Sequence, residues 1–227
     1  MIFDILFPSL CLGCGKPGAY VCLNCEASLV LYTRQKCIYC HEDSYLGLTH
    51  PQCMKYEGID GVYSVFLYNN TLKRVIKNIK YRYVSDAFSD VFRLLTLNRV
   101  EDLLCVCRLV KNLSLQPVPL HDQKQKQRGF NQSKYLCEYL SKQLNLPVIE
   151  QVERIRYTLP QAQIHDLAHR YKNVLNAFVI QNKESIRGEN ILLVDDVVTS
   201  GNTVKSIARV LKKAGANKVF VFSLARG

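Results

Sequence analysis

One segment constrains the fold of this chain most: residues 191–203, in which an apolar run is followed by two acids and a small, hydroxyl-rich loop. The four apolar residues 191–194 are typical of a strand that is buried on both faces of an α/β sheet. Asp195 and Asp196 come at the end of this strand, where such sheets open onto a ligand crevice. After the loop, apolar side chains recur at helical spacing up to Gly215. The segment therefore predicts a strand, a loop and a helix.

The loop between the predicted strand and helix has the composition of a phosphate site. Gly201 provides backbone freedom, and the free N–H groups at a helix start bind anions with the help of the helix dipole. The two acids can accept hydrogen bonds from a pair of ribose hydroxyls, or face a divalent cation that bridges a sugar and its pyrophosphate. The segment thus predicts a site for a ribose 5-phosphate. The alternative is an ordinary acidic turn of the kind found in many α/β proteins.

The cysteines of this chain are concentrated near its start, with seven of ten before residue 54. A Cys-x-x-Cys turn directs two thiolates at one centre about 2.3 Å away, and two such turns complete the tetrahedron that Zn²⁺ favours. Nothing indicates export, and disulfides are therefore disfavoured. The spacing predicts a structural zinc site and a second metal site, with a surface histidine as the alternative for the second. It leaves open whether the pairs bind in sequence or cross-braced. The predicted ligands are Cys11, Cys14, Cys22 and Cys25, then Cys37, Cys40, His50 and Cys53.

Composition and charge narrow the class of partner. No apolar run approaches the roughly 20 residues that cross a bilayer, and the start of the chain lacks a basic signal region, so a cytoplasmic protein is expected. A candidate for peripheral contact with the inner membrane is the set Ile2, Phe3, Ile5, Leu6 and Phe7, and packing of these residues under the neighbouring module is the favoured alternative. A net charge of +11 and a pI near 9.2 favour polyanionic partners. Part of the positive charge is concentrated in two basic segments, each of which alone is also typical of a solvated surface. The first comprises Lys73, Arg74, Lys77, Lys80 and Arg82, and the second comprises Lys124, Lys126, Arg128 and Lys134.

Periodicity divides the chain into two expected domains, a cysteine-rich module over residues 1–56 and an α/β domain over 57–227. In the second, the pattern predicts a strand over 58–68, a basic amphipathic helix over 71–81, a short strand over 116–120 and a final strand over 218–225. Residues 121–133 are polar and basic, and are expected to form a mobile anion-binding loop, with an ordinary exposed loop as the alternative. Residues 154–161, which begin with Arg154, supply a second cluster of hydrogen-bond donors.

The pattern of residues 191–203 closely resembles the phosphoribosyl pyrophosphate (PRPP) motif of type I phosphoribosyltransferases. The cysteine pairs, Pro117-Val-Pro-Leu-His121, Arg128-Gly-Phe-Asn-Gln132, Thr158-Leu-Pro-Gln161 and Arg170-x-x-Asn173 precede it, in the order seen in the ComF family of bacterial competence proteins. This resemblance covers nearly the whole chain, although His50 stands where a cysteine is common. It implies an α/β fold of type I phosphoribosyltransferase-like architecture, a mainly parallel sheet with flanking helices, preceded by a small zinc-binding module.

The resemblance also implies residue roles. Asp195 and Asp196 would hold the ribose and Mg²⁺ and act in catalysis, and Asn131 and Gln132 would be mobile contacts. The implied PRPP-binding residues are Asp195, Asp196, Val197, Val198, Thr199, Ser200, Gly201, Asn202, Thr203, Pro119, Leu120, His121 and Arg128.

Three functions follow as hypotheses. The first is a PRPP-binding protein that handles single-stranded DNA during natural transformation, with aromatic stacking and phosphate contacts as the means. The second is an active phosphoribosyltransferase that transfers ribose 5-phosphate from PRPP to a nucleobase or a small nitrogen nucleophile. In the third, the zinc module docks on a DNA-translocating helicase or an inner-membrane uptake channel. The expected nucleic-acid contacts are Lys73, Lys77, Lys80, Lys124, Lys126, Arg128 and Phe130.

Overall fold

A four-stranded parallel sheet forms the centre of the protein. A computed structural model describes residues 9–82, 87–95, 110–157 and 176–227, together with residues 103, 105, 107 and 108. The strands are β1 (Gly61–Leu67), β2 (Leu113–Pro117), β3 (Val152–Arg154), β4 (Phe178–Ile180), β5 (Asn190–Val198) and β6 (Lys218–Arg226). The central sheet has the order β1-β6-β5-β2, and β3 and β4 form a separate antiparallel pair.

Helices flank both faces of this sheet, as predicted. They are α1 (Leu23–Ala27), α2 (Asn70–Arg82), α3 (Ala87–Arg93), α4 (Asp122–Arg128), α5 (Gln132–Leu144) and α6 (Asn202–Lys213), with 3-10 turns at Tyr45–Gly47, Pro51–Cys53 and Glu184–Ile186. Along β5, Leu192 and Val194 pack in one core with α2, α3 and α5, whereas Ile191 and Leu193 pack in a second core with α6. The apolar run is continuous because alternate side chains fill two different cores.

Several predicted elements are confirmed, and two strands differ at their ends. The strand over 58–68, the helix over 71–81 and the final strand correspond to β1, α2 and β6. Strand β5 continues through both acids to Val198, because β6 runs beside it and pairs Val198 with Arg226. Strand β2 ends at Pro117, earlier than predicted, and the Val118 N–H then donates to the Val194 carbonyl over 2.9 Å. Pro119, which has no N–H, cannot extend this ladder.

The polar segment 121–133 was predicted as a loop, and it contains helix α4. His121 caps this helix, since its Nδ1 accepts a hydrogen bond from the Gln123 N–H over 3.2 Å. Gly129 ends it in the left-handed conformation with φ 73°. Apolar periodicity does not predict this helix, because nearly all of its residues are polar. The signals that mark it are instead the two caps, His121 at its start and Gly129 at its end.

The cysteine-rich segment covers the β1 edge of the sheet. Isolated bridges join Leu31 to Phe66 and Leu48 to Gly61. The buried Gln35 amide donates to the Ser64 carbonyl over 2.8 Å, and its oxygen accepts from the Ser64 N–H over 3.0 Å. In the described part of the chain, each helix is too short or too polar to cross a bilayer. Residues 2–7 and the motifs at 158–161 and 170–173 lie outside the described residues.

Candidate functional site

The predicted site residues converge at the carboxyl ends of β2 and β5. These strands are neighbours, with Pro117 paired to Val194, so Pro119 and the residues after it begin beside Asp195. Asn131 fastens this segment, because its Nδ2 donates to the Val118 carbonyl over 3.0 Å. The structure thus brings the expected pyrophosphate segment and the acid pair to one edge of the sheet.

The two acids lie in a polar setting rather than in the hydrophobic interior. The Asp195 Oδ1 atom accepts hydrogen bonds from the Asp196 N–H over 2.9 Å and from the Ser133 hydroxyl over 3.1 Å. Asp196 forms an ion pair with Lys80, and their side chains are 17% and 22% exposed. Burial raises the pKa of Asp195 to about 7 and the Asp196 charge adds to this, while Lys80 opposes it. The pair can accept hydrogen bonds from a diol or bind a divalent cation.

The loop over residues 199–203, called the phosphate loop after its predicted role, connects β5 to α6. Gly201, which has no side chain, precedes this helix with φ 73°. The backbone N–H groups there are oriented to bind an anion. The loop borders a small open depression, while the Val198 side chain is 2% exposed and packs in the core. The depression is lined by Asp195, Val197, Val198, Thr199, Gly201, Thr203 and Val204.

Cations surround the acid pair. Lys124 on α4 is 8% exposed. Burial lowers its pKa to about 8, and Arg154, Arg128 and Lys80 lower it further. Burial also lowers the pKa of Arg154, with Asp195 opposing this and Arg128 adding to it. Four cations near two acids leave an excess of positive charge, which suits a ligand with several phosphate groups.

Several predicted nucleic-acid contacts have different surroundings. Lys80 and Lys124 belong to the acid site, and Arg128 lies near it. The Phe130 ring is buried 5.5 Å from the Phe88 ring and 5.9 Å from the Tyr135 ring. It is therefore packed in the core rather than presented for base stacking, which corrects that prediction. Lys73, Lys77 and Lys126 are exposed.

Ser133 was not predicted as a partner of Asp195, and Arg154 was predicted only as the first residue of a cluster of donors. Ser133 donates to Asp195, and Arg154 on β3 is close enough to affect its titration. The signal for Ser133 was its position directly after the Arg128-Gly-Phe-Asn-Gln132 motif, at the start of α5. The proximity of Arg154 to Asp195 had no local signal, because β3 reaches the site only through the tertiary fold.

The cysteines and His50 form two groups within the described residues, each with four ligand atoms that lie within 4.8 Å of one another. Tetrahedral zinc thiolates require sulfur atoms about 3.8 Å apart, given the 2.3 Å Zn–S bond. The Cys14 and Cys22 sulfur atoms are 3.7 Å apart. The pairs combine in sequence order, which resolves the cross-braced alternative. The first group is Cys11, Cys14, Cys22 and Cys25; the second is Cys37, Cys40, His50 and Cys53.

His50 is oriented as a metal ligand. Its Nδ1 is 3.3 Å from the Cys40 sulfur, and its Nε2 is 3.1 Å from the Asp43 carbonyl oxygen. A proton on Nε2 donated to that carbonyl leaves Nδ1 as the lone-pair ligand. This arrangement favours a metal ligand over the alternative of a surface histidine.

The thiols are prepared to hold a cation. Burial opposes ionisation of Cys11 and Cys37, but backbone N–H groups outweigh it and lower their pKa values to about 6 and about 7. Burial and the neighbouring thiols raise the pKa of Cys53 to about 11. One thiolate in each group thus forms readily and a divalent cation stabilises the others, as expected for zinc.

This chain is similar in sequence to several known proteins. The Phosphoribosyl transferase domain family matches residues 134–227. Competence protein F of Haemophilus influenzae is 30% identical over 222 residues, covering 96% of this chain and 90% of that protein. DNA utilization protein YhgH of Salmonella typhimurium is 31% identical, over 96% of this chain and 97% of its own length. Competence protein ComFC of Bacillus subtilis is 26% identical, over 93% and 86%. The parallel sheet together with the family match confirms the predicted fold class.

Proposed function

Because the chain belongs to the ComF family of competence proteins, we propose that it binds PRPP and handles single-stranded DNA during natural transformation. The observation that carries the proposal is the single site that joins an acid pair, the start of helix α6 and a cluster of cations. A ribose carrying one phosphate and one pyrophosphate presents the complementary groups.

Each part of the site has a role in this proposal. Asp195 and Asp196 bind the ribose hydroxyls and Mg²⁺, which neutralises the pyrophosphate. The loop over 199–203 holds the 5-phosphate through its N–H groups and hydroxyls. The segment 119–121 and the cations Lys124, Arg128 and Arg154 face the pyrophosphate. Lys80, which pairs with Asp196 in the ligand-free protein, also binds the pyrophosphate when PRPP is present.

Calorimetric titration with PRPP and Mg²⁺ tests the binding proposal. We expect Asp195→Ala plus Asp196→Ala to abolish binding while zinc content is unchanged. A matched control, Glu153→Ala plus Glu184→Ala, removes two exposed acids with the same loss of charge. Binding that survives the first double substitution, or that is absent from the unmodified chain, would overturn the proposal.

The exposed basic face of α2, with Lys73, Arg74 and Lys77, supports the DNA proposal. Phosphate contacts release counterions, and each one contributes about −0.7 to the slope of log affinity against log salt for a single strand. We expect Lys73→Met plus Lys77→Met to make that slope shallower by about 1.4. Filter binding over a salt series measures this. A flat salt dependence in the unmodified protein, or no preference for single strands, contradicts DNA handling.

Active phosphoribosyl transfer is the second candidate. The acid pair and the loop over 199–203 at one edge of the sheet favour it, and a small apolar cavity lies beside Asp196. Gln132 lines this cavity and is 4% exposed, and its Nε2 has no hydrogen-bond partner among the described residues. Release of pyrophosphate in the presence of nucleobases tests turnover. Binding of PRPP without any release would leave the protein as a binding protein.

We also propose that residues 1–56 form a zinc-stabilised module that meets a DNA-translocating helicase or an inner-membrane uptake channel on the cytoplasmic side. Large apolar side chains exposed on this segment favour a partner: Leu23 at 76%, Tyr45 at 80% and Tyr56 at 91%. Exchange of both tyrosines for serine should abolish co-purification with that partner and leave PRPP affinity unchanged. Co-purification that persists would contradict the docking role.

A further inference from the structure

The second metal group lies directly against the phosphate loop. Ile38, between the ligands Cys37 and Cys40, is fully buried and packs in the same core as Val198 and Val204 at either end of that loop. A Cβ atom added to Gly201 would lie 2.8 Å from the Ile38 Cδ1 atom. The loop backbone and the Ile38 side chain are therefore in close contact, with no space between them for a methyl group.

A second contact joins the same two parts. Lys205 on α6 donates from Nζ to the Ser200 carbonyl of the loop over 3.4 Å. The same ammonium lies 5.3 Å from the centre of the Tyr39 ring, and Tyr39 also belongs to the Cys37–Cys40 turn. The Tyr39 hydroxyl in turn accepts from the Ile59 N–H over 2.9 Å. Lys205 thus links the Cys37–Cys40 turn to the phosphate loop.

Charge reinforces this connection. Three thiolates and one neutral imidazole around a divalent cation carry a net charge of −1. Lys205 and the buried Arg226 lie near Cys37: burial lowers the pKa of both, while the Cys37 charge acts in the opposite direction. Arg226 pairs with Val198, and the Gly227 N–H donates to the Val198 carbonyl over 3.0 Å. The Lys205 ammonium therefore contacts the phosphate loop, and the Arg226 backbone pairs with the strand that leads into it.

We propose that the second metal group holds the phosphate loop in its binding conformation, with Ile38 and Lys205 as the positioning residues. Loss of this metal releases the Cys37–Cys40 turn and weakens phosphate binding. The identity of the ligand, PRPP, rests on the proposed function. The coupling between the second metal group and the phosphate loop rests on the contacts of Ile38 and Lys205.

The first metal group provides an internal comparison. Leu12 occupies the position in the Cys11–Cys14 turn that Ile38 occupies in the Cys37–Cys40 turn. It is 2% exposed but packs in the other core, and its carbonyl accepts from Asn78 Nδ2 of α2 over 2.6 Å. The first group therefore supports α2 and not the phosphate loop.

The experiment compares Ile38→Ala with Leu12→Ala in the full-length, zinc-loaded protein, and both variants keep all eight metal ligands. Calorimetry with PRPP and Mg²⁺ measures affinity, and hydrogen exchange without ligand measures protection of the amides at 199–203. We expect Ile38→Ala to weaken PRPP binding by about tenfold, a size typical of coupled sites, and to speed exchange in the loop. Leu12→Ala should change affinity less than twofold and leave loop exchange unaltered.

Metal removal provides the second arm. Cys40→Ser, verified by zinc content to lose one ion, should reproduce both effects of Ile38→Ala. Equal effects of Ile38→Ala and Leu12→Ala, or loop protection that is unchanged without the second metal, would overturn the coupling. If the unmodified protein fails to bind PRPP, the proposed function fails, while exchange at 199–203 still decides whether the metal group holds the loop.

Discussion

Substitution of Gly201 by alanine tests the packing of the phosphate loop on the second metal group. Gly201 has φ 73°, and the left-handed conformation costs an L-residue roughly 1–2 kcal/mol. The reduced freedom of the unfolded chain offsets about 0.4–1 kcal/mol of that. The new methyl would also lie 2.8 Å from Ile38 Cδ1, a buried atom that must move. Overpacking of this kind costs about 1–3 kcal/mol, so we expect a total loss of about 1–5 kcal/mol.

Gly188→Ala is the matched control. Gly188 has φ 77°, and among the described residues no atom lies within 4 Å of the position that its Cβ would take. Its backbone cost is the same, so the difference between the two variants, about 1–3 kcal/mol, measures the overlap with Ile38. The combination of Gly201→Ala with Ile38→Val, which removes the contacting methyl, should recover part of that difference in a double-mutant cycle.

Urea unfolding of the zinc-loaded protein, followed by circular dichroism because the chain has no tryptophan, gives these free energies. Losses that are equal for Gly201→Ala and Gly188→Ala would show that the loop has room for a methyl group. Strict additivity of Gly201→Ala and Ile38→Val would show that the two side chains do not meet. Either result would refute the packing described above.

Three further outcomes are expected. Lys80→Met should lower the free energy of unfolding by about 1–3 kcal/mol in urea titrations, because Asp196 loses its partner. This loss is smaller than that of a fully buried pair, since each side chain is about a fifth exposed. The control Lys73→Met, on the exposed face of the same helix, should change the free energy of unfolding by less than about 0.5 kcal/mol, and equal losses for the two variants would contradict the ion pair. The pKa of Asp195 is raised to about 7, so folding favours its protonated form, and the free energy of unfolding should fall as the pH rises from the ordinary aspartate pKa towards 7. The calorimetric affinity for PRPP with Mg²⁺ should increase by up to about tenfold per pH unit below 7, because the ligand form of Asp195 is ionised. An affinity that does not change between pH 6 and pH 8 would argue against Asp195 as a ligand. Elemental analysis should find two zinc ions per chain and one after Cys14→Ser, whereas loss of both would indicate that the groups share their ligands.

The metal groups were predictable because their signal is local. Two residues between cysteines direct both sulfur atoms to one point whatever the rest of the chain does. The strand, loop and helix around Asp195 and Asp196 were predictable for the same reason, since apolar runs and helical spacing depend on neighbouring residues. The predicted ends of the strands were less accurate. Strand β5 extends past the acids because β6 pairs with it, and residues 191–203 alone do not indicate that pairing.

The sequence by itself determined the two cysteine-rich groups, the acid pair and the position of the loop over 199–203, because each depends on spacing along the chain. Only the tertiary structure decided which cations face the acids, which side chains are buried and which metal group touches the loop. Lys80 meets Asp196, and Ile38 meets Gly201, across more than a hundred residues of sequence. Such contacts depend on strand order and on how helices pack against the sheet, and no local pattern records either.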